Sequence, residues 1–259
     1  MDLLHQHLLI IPAIFLFAAF VHGSIGFGFP MLATPLLALV TDLQTAIILT
    51  LLPSFIINLV SILSEGNLST AGRRYLLLAV FAMLGSACGT QILIFTSPDK
   101  FKILLAVVIL LYLAAGRVNL TIPWIAANPG PAKIGFGFAA GLVGGLTNVM
   151  APVLIIYSLE AKHSRAETIQ AANSCFLLGK LAQLLMFSLA GSFTSTQLGL
   201  SLAMLPVVGL TLAASFVLKK RIHPAAYKNA LKILLFLLAM ALIVQVGKAQ
   251  LTHSGVLFG

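Results

Sequence analysis

From Leu8 to Val40 the chain is apolar almost without interruption, yet residues 22–32 read HGSIGFGFPML, with three glycines, a serine, a histidine and a proline. As one helix this run would be about 50 Å long at 1.5 Å per residue, against a bilayer hydrocarbon core of about 30 Å. A segment of this kind has to fold back or break inside a membrane. The rest of the chain confirms the setting. Of 259 residues 60 % are apolar and 8 % charged, and the mean hydropathy is +1.09, whereas soluble domains carry about a quarter charged residues. The sequence therefore predicts an all-α polytopic protein of the cell inner membrane.

The net charge of +9 is no nucleic-acid signal, because the basic residues are scattered through short loops as the positive-inside rule describes. Cys88 and Cys175 both fall in predicted spans and read as small apolar residues, not as a disulfide framework. The N-terminal run lacks a basic leader region, so a cleaved signal peptide is not expected. HExxH, GxSxG and CxxC spacings are absent, and neither an enzyme, a metal site nor a cofactor is expected. The expected partners are the lipid bilayer and a small anion, with a homodimer left open.

Hydropathy divides the chain into a first half over residues 1–118, a linker over 119–131 rich in proline and polar residues, and a second half over 132–259. The first half would hold a hairpin over 8–40 and spans near 45–63, 75–95 and 101–116. The second would hold a hairpin over 134–159 and spans near 166–189, 198–218 and 227–246. Loop charge favours hairpins over single crossings. With hairpins, one side collects Arg73, Arg74, Arg117, Lys133, Lys162, Arg165, Lys219, Lys220, Arg221 and Lys228, and the other keeps Lys100, Lys102 and Lys248. Ten against three is a stronger bias than the five against eight of the single-crossing alternative, and bias sets orientation. Both termini are then expected on the periplasmic side. Whether the hairpin arms cross fully is left open by charge counting.

The halves echo one another. Gly23-Ser-Ile-Gly26, followed by Pro35, matches Gly141-Leu-Val-Gly144, followed by Pro152; Pro98-x-x-Phe101-Lys102 matches Pro224-x-x-Tyr227-Lys228; Gly85 and Gly89 fall opposite Thr211 and Ser215. In this register Ser54 and Asn58 fall where Cys175 and Gly179 stand. A hairpin plus three spans is an odd number of crossings, so the halves would be inverted repeats, the common plan of secondary transporters.

A helix that stops inside a membrane leaves backbone groups that are tolerated only in protein or beside a wet cavity. The restarting helix attracts anions through its free N–H groups and dipole. Gly26 and Gly28 permit the first turn and Pro30 suits a helix start. In the second break Gly144 and Gly145 permit the turn, and Thr147 or Asn148 can cap the restarting helix. Ser24, Phe27 and Phe29 are counted with the first stretch as substrate-facing. Gly23, Pro30, Gly141 and Pro152 are expected to act as hinges. Lys180 lies mid-span, where a cation is unfavourable by roughly 3 kcal/mol or more. No carboxylate falls in the interior of a predicted span, Glu167 lying at the very start of one, so an anionic substrate is its natural partner. Asn173, two turns away on the same face, and Asn58 complete a polar lining with Gln170, Ser174 and Gln183 nearby, and Asn148, Thr147, Asn173 and Asn58 are expected to tune the fit to the substrate. His22 would either accept a coupling proton or hydrogen-bond a freed carbonyl.

The paired motifs GSIGFGFP at Gly23–Pro30 and GFAAGLVGGLTNVMAP at Gly137–Pro152, within two halves, resemble the TauE/SafE family of sulfite exporters over nearly the whole chain. The resemblance implies about eight spans from a duplicated unit and movement of sulfur-containing anions such as sulfite, thiosulfate, sulfoacetate and other organosulfonates. It also implies that Gly23, Gly26, Gly28, Pro30, Gly141, Gly144, Gly145 and Pro152 shape the route. The second motif departs from the glycine triplet often seen there, carrying Leu146-Thr147-Asn148-Val149-Met150. Transport of another small anion, a passive channel and a thiol-based sulfur carrier are the alternatives the sequence leaves.

Overall fold

The computed structural model describes residues 9–65, 68–115, 122–218 and 224–255. These residues are helical, with no strand among them. The helices are α1 (Ile10–Ile25), α2 (Phe29–Ala38), α3 (Leu43–Glu65), α4 (Leu68–Phe95), α5 (Phe101–Ala115), α6 (Pro123–Ala127), α7 (Pro129–Thr147), α8 (Ala151–Glu160), α9 (Arg165–Leu189), α10 (Ser195–Leu218) and α11 (Pro224–Gly255). Arg117, Lys219, Lys220 and Arg221 of the loop-charge count lie outside the described residues, as do Leu8, the end of the first half at 116–118 and positions 119–121 of the linker. The remaining linker is not irregular, as its prolines suggest. Pro123 and Pro129 stand in the first turns of α6 and α7, where a missing N–H is no loss and a fixed φ suits the helix.

Among the described residues, five helices are long and apolar enough to cross a membrane: α3, α4, α9, α10 and α11. Their burial sorts them. The apolar window of α3 is 67 % buried and that of α9 50 %, against 28 % for α10 and for α11. Thus α3 and α9 form the interior, packed on each other. Leu202, Leu210, Ile233 and Leu237 of α10 and α11 face outward, as lipid requires. At ten residues each, α2 and α8 are about 15 Å long and cannot cross.

The interior helix α3 carries Pro53, which lacks the N–H that would bond the carbonyl of Leu49. Ser201 of α10 donates its hydroxyl to that carbonyl at 2.9 Å, so a neighbouring helix repairs the gap. Side-chain caps start the two interior helices alike. Asp42 accepts the N–H of Thr45 at 2.9 Å, and Ser164 and Glu167 form a reciprocal capping box.

The glycines expected to open the second break mostly serve a seam. Gly141 and Gly145 are inside α7, where a Cβ would strike the backbone of Ala82 and of Ser86, Gly89 and Thr90 in α4; Gly85 and Gly89 meet Phe138, Leu142 and Gly145 in return. Gly23 lies inside α1, packed onto Ser215 of α10. Small residues let membrane helices approach closely enough for dispersion and backbone contacts to hold them. Gly23 and Gly141, read as hinges, are therefore helical, and the helices end several positions further along, at Ile25 and Thr147.

Polar contacts gather at both ends of the bundle. At one, Arg74 pairs with Glu167 at 2.5 Å, Lys133 reaches the carbonyl of Arg74 at 3.5 Å, and Glu160 accepts the N–H of Ile122 at 2.6 Å. At the other, Lys102 reaches Asp99 at 3.0 Å and the carbonyl of Thr41 at 3.5 Å, and Gln197 donates to Thr45 at 3.0 Å.

Replacing Gly141 by leucine places bulk against the Ala82 carbonyl and is expected to destabilise the protein by about 3 kcal/mol. Gly135→Ala, where nothing lies within 4 Å, should be neutral. Melting of both variants in detergent checks this; equal melting would show that the α4–α7 seam is not a close contact.

Candidate functional site

Both hairpins turn by the same device. Helix α1 ends at Ile25, and Gly26 takes a left-handed φ of 100° while its N–H bonds the carbonyl of His22 at 2.6 Å. Helix α7 ends at Thr147, and Asn148 takes a φ of 68° while its N–H bonds the carbonyl of Gly144 at 2.7 Å. Asparagine is among the few side-chain-bearing residues that adopt this conformation readily. The expectation that Gly144 and Gly145 supply the turn is thus corrected: both are helical, and Asn148 turns the chain. Four residues beyond each left-handed position stand Pro30 and Pro152, in the first turns of α2 and α8. Gly26 and Asn148, Pro30 and Pro152, and the capping residues Asp42 and Ser164 all stand 122 positions apart. This register replaces the motif alignment of Gly23–Gly26 with Gly141–Gly144, and it sets Asn58 opposite Lys180 instead of Gly179.

The first tip is fastened from two sides. His22 is fully buried; its Nδ1 accepts the N–H of Phe29 at 3.3 Å and its Nε2 lies 2.8 Å from the Ser61 hydroxyl of α3. Because Nδ1 accepts, Nε2 carries the proton and donates it to Ser61. The freed group that His22 satisfies is therefore an amide of the restarting helix, not a carbonyl. From α9, Asn173 donates to the carbonyls of Gly26 at 2.9 Å and Ile169 at 2.8 Å, and Arg165 reaches the carbonyl of Ile25 at 3.5 Å.

The second tip is fastened through Asn148, buried to 1 % exposure. Its amide nitrogen donates to Thr34 of α2 and Thr50 of α3, both at 2.7 Å. Its amide oxygen accepts from the ammonium of Lys180. Lys180 also donates to Oε1 of Gln183 at 2.6 Å, and the nitrogen of Gln183 donates to the carbonyl of Gly144 at 3.3 Å. Thr147 donates its hydroxyl to Val143 at 2.7 Å and accepts the N–H of Val149 at 3.3 Å, so it caps the break while Asn148 reaches outward. Lys180, itself 1 % exposed, is thus held by two neutral amide oxygens. Among the described residues Lys102 is the only other buried cation, and it is paired with Asp99.

The tips do not meet end to end. Asn173 holds the first tip about 12 Å into α9 from the Arg165 end, and Thr50 holds the second about 12 Å into α3 from the Asp42 end. The tips reach past each other. Between them runs a crevice too tight to hold a water molecule, walled by Gly28, Pro30 and Met31 from one break, Asn148 to Ala151 from the other, and Phe176 of α9.

Several sequence candidates are turned elsewhere. Ser24 bonds the carbonyl of Phe20 in its own helix at 2.8 Å, Phe29 stacks edge-on against Phe15 at 5.7 Å, and Phe27 packs onto the core. Gly144 lies under the Met150 side chain. Cys88 is exposed and Cys175 buried. Sequence reasoning missed Thr34, Thr50 and Ser61. A signal was present: positions 50, 54, 58 and 61 share one helical face.

Asn148→Ala leaves Lys180, Thr34 and Thr50 each short of a partner and retains a left-handed residue. A loss of at least about 3 kcal/mol is expected, with Asn148→Gly recovering only the backbone share of about 1 kcal/mol. Thermal melting checks it, and wild-type melting of both variants would remove Asn148 from the fold's supports.

No curated protein and no solved structure gives a significant match to the chain. A family model for the sulfite exporter TauE/SafE matches residues 11–242. That range takes in both helix breaks, the interior pair α3 and α9, and most of α11, and the chain accordingly belongs to the sulfite exporter TauE/SafE family.

Proposed function

We propose that the protein is a secondary transporter, working as an exporter, of small sulfur-containing anions such as sulfite, thiosulfate or organosulfonates. Its two halves, about 1–118 and 132–259, would be inverted repeats that expose the site alternately to each side. The observation that carries the anion reading is Lys180: a buried cation, at the second helix break, held only by neutral oxygens. An ammonium has three N–H donors; two are used, and the third is available to an oxyanion. A carboxylate partner would have cancelled the charge. The amide oxygens orient it instead and leave the field intact, a low-dielectric setting in which one charge acts strongly.

The repeat reading is supported by the common offset of the breaks and caps, and by exchange of neighbours. Helix α4 packs on α7 as α10 packs on α1, and α5 packs on α8 as α11 packs on α2. Secondary transporters built this way place their sites at broken helices near mid-membrane. The two cysteines, one exposed and one buried, lend no support to a thiol carrier.

Lys180→Met should abolish saturable sulfite or sulfonate flux in proteoliposomes while the protein stays folded. Asn148→Asp tests the same point more finely, because a carboxylate of nearly the same shape would pair with Lys180, preserve melting and extinguish flux. Wild-type flux in either variant would remove the lysine from the mechanism, and flux without uphill accumulation under an imposed gradient would indicate a channel. In the proposed topology, cysteines introduced at Thr41 and Lys162 label from opposite sides of the membrane, Thr41 from the periplasm. Labelling from the same side would overturn it.

A further inference from the structure

The α3 face that joins the two tips is polar along its whole length. Thr50 at one end holds Asn148 of the second tip, and Ser61 at the other holds His22 of the first. Between them stand Ser54 and Asn58, both fully buried. The hydroxyl of Ser54 and both polar atoms of Asn58 have no hydrogen-bond partner in the protein. A buried, unpartnered amide or hydroxyl is unfavourable by about 1–3 kcal/mol per group, and such groups call for an explanation. Three on one face, one to two turns from the Asn148 junction, are too concentrated to be incidental to packing.

The register of the breaks says what they mirror. At the offset of 122, Asn58 corresponds to Lys180, Ser54 to Phe176, Ser61 to Gln183 and His22 to Gly144. The contacts correspond as well: His22 bonds Ser61, and Gln183 bonds Gly144. Asn58 therefore holds, at the first tip, the place that Lys180 holds at the second. Lys180 bonds the side chain of Asn148; the residue that corresponds to Asn148 at the offset of 122 is Gly26, which has no side chain. The polar end of Asn58 thus lacks the kind of partner that Lys180 has.

Resting on the transporter reading above, we infer that Ser54 and Asn58 form a second, uncharged subsite, and that the transported species is a monoanion whose neutral polar tail binds there. One negative charge beside Lys180 leaves the filled site neutral. A second charge would lie against an amide and a hydroxyl with no cation to balance it, and an uncompensated charge within the membrane is strongly unfavourable. The hydroxyl and amide between them donate and accept, which matches an alcohol or amide tail.

Three sulfonates of one length separate the terms: 2-hydroxyethanesulfonate, with a neutral polar tail; sulfoacetate, with a charged one; and ethanesulfonate, with an apolar one. Binding to the full chain in detergent is read from thermal shift across a concentration series. The wild type should bind 2-hydroxyethanesulfonate at least tenfold more tightly than either of the others. Asn58→Leu should reduce it to the level of ethanesulfonate without changing ethanesulfonate itself, a pattern that a merely structural role for Asn58 would not give. Asn58→Lys, which restores a cation at the second tip's counterpart, should reverse the preference toward sulfoacetate. Equal or tighter binding of sulfoacetate by the wild type overturns the inference, as does a folded Asn58→Lys with unchanged preference. If no sulfur anion of either charge shifts the wild type, the transporter reading itself falls and takes this subsite with it.

Discussion

The junction at Asn148 is the interaction on which the rest of the arrangement depends. One amide joins a broken helix to α2, to α3 and, through Lys180, to α9. It does so because its backbone is left-handed, which throws the side chain away from α7 and across the break. A glycine would turn the chain as well but join nothing. An alanine would neither turn comfortably nor reach. The departure from a glycine triplet in the second motif thus has a structural meaning: it converts a flexible tip into a pinned one.

Pinning matters because a discontinuous helix in a membrane has no solvent to satisfy its ends. Here the freed groups are met chiefly from other segments. Asn173 of α9 serves the carbonyl of Gly26, and His22 serves the amide of Phe29 while fixed by Ser61 of α3. Each tip is therefore stable only in the company of α3 and α9, and these two helices are the most buried of the long ones. Burial, proline repair at Leu49 and the small-residue seams against α4 and α10 all hold that pair and its hairpins in register.

Much of this was legible in the sequence. Hydropathy located α3, α9 and α10 to within about three residues, while α4 starts seven residues before the expected 75 and α11 ends nine after the expected 246; the length of Leu8–Val40 required a break. The glycine-rich motifs marked where helices come close or stop, but could not say which of the two each glycine does. Gly26 has a positive φ, whereas Gly141 and Gly145 have α4 backbone where a Cβ would stand. That distinction depends on what faces the residue, which a single sequence does not contain. Lys180 stood out because a cation is rare at that depth; its partners did not, since Asn148 is 32 residues away. Asn58 was legible as an amide within a span, whereas Thr50 and Ser61 were obscured because small polar residues hardly lower the hydropathy of a long apolar helix. Adjacency in the chain puts Phe29 and Ser24 at the site, and the local helix geometry turns them inward and back.

The same network limits how the tips can move. For the second tip to separate from α9, the bond between Lys180 and Asn148 has to break, and the ammonium then needs another acceptor at once. An oxyanion within reach of the third N–H supplies that acceptor; water in a narrow apolar crevice does so less well. On the proposed reading, a bound anion would thus lower the free energy of the separated arrangement relative to the joined one, and a ligand shifts a conformational equilibrium only by such a difference. The first tip has no equivalent bond, because Gly26 offers no side chain to Asn58. On the proposed reading, release of the second tip is coupled directly to the anion's charge, whereas the first tip is held through Asn173 and His22 and frees no ammonium, so the two tips are chemically unlike.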